Sequence, residues 1–81
     1  MNLQPFESLD PTAGPTRTEL AMIRPNLYVR LALETGQRFW CRVASHRRDN
    51  GTFIGVADDT VPPLRRGDQV VFGREHVFEV I

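Results

Sequence analysis

The sequence predicts a small, mainly β domain of the α+β type, with one short N-terminal helix ahead of five short strands. Three observations carry this. From Asn26 onward apolar and polar residues alternate with the period of a half-buried strand, beginning with Leu27, Val29, Leu31 and Leu33. Turn signals at Thr35-Gly36, Asn50-Gly51, Gly67-Asp68 and residues 73–75 break that alternation at short intervals. Helical spacing occurs in one place only, residues 16–24, upstream of every strand.

Residues 1–15 read as a flexible tail. Pro5, Pro11, Pro15 and Gly14 fall here, and proline both removes a backbone donor and restricts the residue before it. Phe6 and Leu9 are placed to pin the tail onto the body. Residues 16–81 form the single domain. Its helix opens on Thr16 with Glu19 three residues later, the pattern of a capping box. Leu20 and Ile23 share one face, flanked by Ala21 and Met22, and Pro25 ends the element. A helix of two turns has no stability of its own and must pack on the sheet.

In the second strand Phe39, Cys41 and Val43 point inward, against Arg38, Trp40, Arg42 and Ala44. Residues 46–51 (HRRDNG) end in Asn50-Gly51, the signal for a type I′ hairpin. The third strand, residues 52–58, is read with Ile54 and Val56 inward and Phe53 and Gly55 on the other face. Pro62-Pro63 makes residues 59–66 a loop. A fourth strand at 69–72 and a last one at 76–81 complete the set. Five short strands and one helix, with no internal repeat, fit a strongly bent sheet or an SH3-like partly open barrel.

A chain of 81 residues makes one domain with a marginal core, which dimerisation would supplement. Ten basic and ten acidic residues give zero net charge, which argues against a polyanion binder driven by counterion release. Every basic residue is arginine. Genome composition is a sufficient explanation, although guanidinium also stacks on aromatics and grips carboxylates in a bidentate way. The single cysteine excludes an internal disulfide and suits a reducing cytoplasm. No signal-like start and no membrane-length apolar run are present, so a cytoplasmic protein without membrane contact is expected.

Residues 26–81 carry a recognisable pattern. Its parts are Phe39-Trp40-Cys41-Arg42-Val43, then Gly55-Val56-Ala57-Asp58-Asp59, then Leu64-Arg65-Arg66-Gly67-Asp68-Gln69-Val70-Val71-Phe72, closed by His76-Val77-Phe78-Glu79-Val80. This resembles a widespread family of uncharacterised small bacterial proteins. Here Asp59-Thr60-Val61-Pro62 stands where that family has an Asn-x-Pro after its third strand. The resemblance implies a fold and carries no activity.

Metal and nucleophile chemistry has little to build on. His46, His76, Cys41, Asp58 and Asp59 lack ligand spacing, and no metal or other cofactor is expected. Cys41 reads as a small core hydrophobe on the inward row. His46 reads as solvated at a hairpin mouth, and His76 as a structural group bonding a nearby loop. The carboxylates of Asp58, Asp59 and Asp68 read as turn-holding groups.

The more informative set has the opposite parity to the inward rows: Tyr28, Arg30, Arg38, Trp40, Arg42 and Phe53. Aromatics interleaved with guanidinium groups suit a protein interface or stacked bases. The plainer reading has the helix and the N-terminal tail covering this strip, with Leu20, Met22 and Ile23 packing on Trp40. The leading expectation is a non-catalytic protein-interaction module, homodimeric in its simplest form. It would use the aromatic–arginine face or the edge of residues 77–81. The second is a nucleic-acid-binding small barrel that stacks bases on Trp40 and Phe53 and sets Arg38, Arg42, Arg47, Arg48, Arg65 and Arg66 on phosphates. The third and weakest is an enzyme using His76 with Asp58 or Asp59.

Overall fold

Period-two alternation becomes a five-stranded antiparallel sheet in the computed structural model, which describes residues 3–5, 14–47 and 49–81. Helix α1 (Arg17–Ala21) is followed by β1 (Tyr28–Ala32), β2 (Arg38–Arg47), β3 (Thr52–Ala57), β4 (Gln69–Phe72) and β5 (Glu79–Val80). A 3-10 turn at Arg74–His76 joins the last two strands. The strand order is β4-β3-β2-β1-β5, and the sheet is not closed.

The capping box forms as expected: Thr16 Oγ1 accepts from the Glu19 N–H and Glu19 Oε1 accepts from the Thr16 N–H. The helix stops at Ala21, short of the expected limit at residue 24. Pro25 disfavours helical backbone at Arg24, and Asn26 takes a left-handed φ of 77°.

Val29 and Leu31 of β1 and Phe39, Cys41 and Val43 of β2 form inward rows, all of them buried. Ile23 beyond the helix, Leu64 from the loop and Val77 after the 3-10 turn join them in one cluster. Val70 and Phe72 from the β4 edge belong to that cluster, and Val80 from the β5 edge packs against it. A sheet whose two outermost strands share one core is strongly bent.

Four expectations about the strands need correction. In β3 the inward row is Phe53, Gly55 and Ala57, all buried, while Ile54 and Val56 face outward. Register explains this: Gly55 lies opposite Val43 and Ala57 opposite Cys41, where small residues leave room for the Phe72 ring. The second strand continues to Arg47, so His46 belongs to the ladder rather than the hairpin loop. A bulge between Val43 and Ser45 shifts the register there and turns the half-buried His46 ring onto Phe53. The hairpin is not type I′, since Gly51 has a positive φ of 73° and Asn50 does not. Instead the Gly51 N–H reaches the Arg47 carbonyl, and Asn50 Oδ1 accepts from the Thr52 N–H and hydroxyl.

The last strand is the fourth correction. Residues 74–76 form the 3-10 turn, and only Glu79–Val80 pair with β1 as strand. His76 Nδ1 accepts the Gly73 N–H at 3.0 Å, which holds the chain in the turn instead of extending it. Within the expected tail, Leu3 forms a bridge to Leu33 and the Gln4 N–H donates to the Ala32 carbonyl. Phe6 and Leu9 lie outside the described residues.

Candidate interaction face

β1 and β2 pair Tyr28 with Arg42, Arg30 with Trp40 and Ala32 with Arg38, which sets five of the six singled-out side chains on one sheet surface. The sixth, Phe53, is fully buried on the opposite face. It stacks there on His46, with ring centroids 4.3 Å apart, and on Phe72 at 5.4 Å. The Arg74 guanidinium lies 4.9 Å from its centroid and donates to the Leu20 carbonyl, tying the helix to the inner face.

The helix therefore covers the other side. Ile23 is buried in the core cluster and Leu20 packs against it, while Met22, expected near Trp40, is 54% exposed. No described helix lies over the face of Tyr28, Trp40 and Arg42; the expected cover by the N-terminal tail falls mostly on residues 6–13, outside the described residues.

Register adds three members that the sequence reading placed inside or left out. Val56 lies opposite Arg42 and beside Gln69, and Ile54 lies beside Val71. Val71 is 54% exposed, Tyr28 is 36% exposed, and Trp40, Ile54 and Val56 are half-buried. The signal that would have found them is Gly55 itself. A glycine between two apolar neighbours marks a close approach, so its parity belongs to the packed side.

Electrostatics on this face are local. Arg30 Nη1 pairs with Glu79 at 3.1 Å while its guanidinium sits 5.5 Å from the Trp40 ring centroid. Arg38 lies 4.9 Å from the Phe78 centroid. Arg42 has no ion-pair partner among the described residues.

Of the acids expected to hold turns, Asp68 does so, whereas Asp59 ties its loop to the β2 backbone and Asp58 pairs with an arginine. Asp59 Oδ2 accepts the Trp40 N–H and Asp68 Oδ2 accepts the Arg65 N–H, both at 2.8 Å. Arg66 Nε donates to the Asp58 carbonyl, and its guanidinium lies 3.8 Å from the Asp58 carboxylate. His76 does not meet Asp58 or Asp59. It follows the end of β4 that pairs with Phe53, whereas the two acids follow the far end of β3. Five residues of strand, about 17 Å, separate those ends. The fold therefore does not bring His76 together with Asp58 or Asp59.

Burial pushes the Cys41 thiol up to about 12, partly offset by Arg42, so it is a poor nucleophile at neutral pH. Among the described residues no cluster of three or more His, Cys, Asp or Glu side chains is placed to hold a metal ion. No described helix is long and apolar enough to cross a membrane. Arg47 is half exposed and 3.7 Å from Asp49, and Arg48 lies outside the described residues. Comparison with protein-family models, curated proteins and solved structures found no match.

Proposed function

We propose that the chain is a non-catalytic protein-interaction module whose outward sheet face takes a protein partner. The observation that carries this reading is the side on which the helix packs. Ile23 and Leu20 serve the inner core and leave Tyr28, Trp40 and Arg42 outside, continuous with Ile54, Val56 and Val71. Aromatic, arginine and aliphatic side chains on a fixed sheet are the composition of an interface centre. Sheet hydrogen bonds hold the backbone beneath them, so little ordering entropy is lost on binding.

The reading includes an SH3-like small barrel, supported by the strand order and by the 3-10 turn before the last strand. It also includes a reducing cytoplasm, which suits the unpaired, buried Cys41. Oligonucleotide binding is less well supported. Burial of Phe53 removes the second stacking surface, and Glu79, Asp49 and Asp58 lie beside Arg30, Arg47 and Arg66.

Cross-linking in a lysate of the source organism tests the reading, comparing the wild type with a Tyr28→Glu, Arg42→Glu variant. Both substitutions lie on the sheet surface, so thermal unfolding should change little. A discrete partner captured by the wild type and reduced about tenfold or more in the variant is expected. Equal capture by both proteins, or none by either, overturns the proposal.

A further inference from the structure

The two edges of the sheet are protected unequally. β5 is two residues long and carries Glu79, a short and charged edge. β4 is the four-residue segment QVVF, with no charge, proline or glycine. Its Val71 side chain is 54% exposed.

The phase of the ladder shows which main-chain groups of β4 are free. The Ala57 N–H donates to the Asp68 carbonyl at 2.9 Å, so that position is a hydrogen-bonded pair. Such pairs alternate with non-bonded ones in an antiparallel ladder. Gly55 with Val70 and Phe53 with Phe72 are therefore bonded, whereas Val56 with Gln69 and Ile54 with Val71 are not. The N–H and C=O groups of Gln69 and Val71 consequently point away from β3. No loop, cap or side chain among the described residues takes them.

These groups are self-complementary, and we propose that β4 pairs antiparallel with β4 of a second copy of this chain. Gln69 lies opposite Val71 of the other copy, with the two-fold axis at Val70. This register satisfies every free edge group of both residues and keeps the inward side of each sheet inward. Centring the axis on Val71 would oppose Gln69 to Gly73. The Gly73 N–H is already held by His76 Nδ1 at 3.0 Å, and its carbonyl by the His76 N–H at 3.1 Å.

Charge agrees with self-pairing. The segment carries no charged side chain, so no like charges meet across the axis. The two-fold makes each copy both donor and acceptor to the other, with Gln69 against Val71 at both ends. The two sheets become continuous, and the outward faces of both copies lie side by side. The inference uses the backbone edge of β4 and not the Tyr28–Trp40–Arg42 surface, so each proposal can fail alone.

Sedimentation velocity across a concentration series up to about 1 mM tests it, since so small a contact belongs to the weak, transient class of interfaces. The wild type should pass from monomer to dimer over that range. Val71→Pro removes an edge donor that β3 does not use, so it should weaken dimerisation about tenfold or more with the fold retained. If that variant does not fold, Gln69→Lys with Val71→Lys changes two exposed side chains and sets lysine against lysine across the axis, with the same expected loss. Gln69→Glu with Val71→Lys should restore dimerisation in this register. A wild type that remains monomeric at the highest concentration overturns the proposal. So does a folded edge variant that dimerises as the wild type does.

Discussion

Gly55→Ala is expected to destabilise the fold by about 2 kcal/mol, roughly 8–16 °C in Tm for a domain of this size. A Cβ at this position collides first with Cys41 Sγ, then lies 3.0 Å from the Arg42 carbonyl oxygen and 3.2 Å from Phe72 Cε1. One of those neighbours is backbone in the β2–β3 ladder and cannot rotate away. Another is the ring that closes the core at the β4 edge. The sulfur, in contrast, can be removed. Cys41→Ala alone should cost about 1 kcal/mol as a small cavity. The double variant should be more stable than the sum of the two losses predicts, by about 1 kcal/mol, because the lost sulfur makes space for the new methyl. Urea denaturation of the four proteins measures this, and strict additivity would mean that Gly55 is not packed against Cys41.

Leu64→Ala is expected to cost more, about 2–5 kcal/mol, although the residue lies in a loop. Leu64 is fully buried in the core cluster. Its N–H and C=O exchange hydrogen bonds with Val61 at 2.8 and 2.9 Å, which turns residues 61–64 into a small hairpin with Pro62 and Pro63 exposed at its tip. The loop thus supplies a core side chain at the end of the sheet where Asp59 holds the Trp40 N–H. Arg65→Ala, at the exposed neighbouring position, should change stability by less than about 0.5 kcal/mol. Equal effects of the two substitutions in chemical denaturation would contradict a packed role for this loop.

What could be read from the sequence, and what could not, follows from how local each signal is. The inward rows of β1 and β2 are legible because arginines (Arg30, Arg38 and Arg42) fall between the large apolar residues, and the capping box is legible because Thr16 and Glu19 act on adjacent backbone. β3 is ambiguous, since both of its parities are apolar. There Ile54 and Val56 look more like core than Phe53 with two small residues. Gly55 hints at the packed parity, and the cross-strand register, with Gly55 opposite Val43 and beneath Phe72, decides between the two faces. The facing direction of His46 is hidden for a related reason. A bulge adds one residue to a strand without any required residue type, so its effect on facing direction appears only in the pairing. The start of the last strand is hidden because His76 and Val77 fit a strand pattern, while the Gly73–His76 hydrogen bond that makes the turn leaves no mark on the apolar–polar alternation.

The aromatic–arginine set survives in part. Tyr28, Arg30, Arg38, Trp40 and Arg42 share a surface, Phe53 leaves it, and Ile54, Val56 and Val71 join it. The decisive fact about that surface, the side on which the helix packs, had no signal in the sequence. Leu20 and Ile23 could have met either face.

The most direct measurement of this account is a set of nuclear Overhauser contacts from the Ile23 and Leu20 methyl groups, recorded with a soluble paramagnetic agent as a probe of exposure. Contacts from these methyls to inner-core side chains, together with strong relaxation of Tyr28 and Val71 and protection of Phe53, are the expected result. Methyl contacts to the Trp40 indole, with Tyr28 protected, would place the helix on the proposed binding face and contradict it.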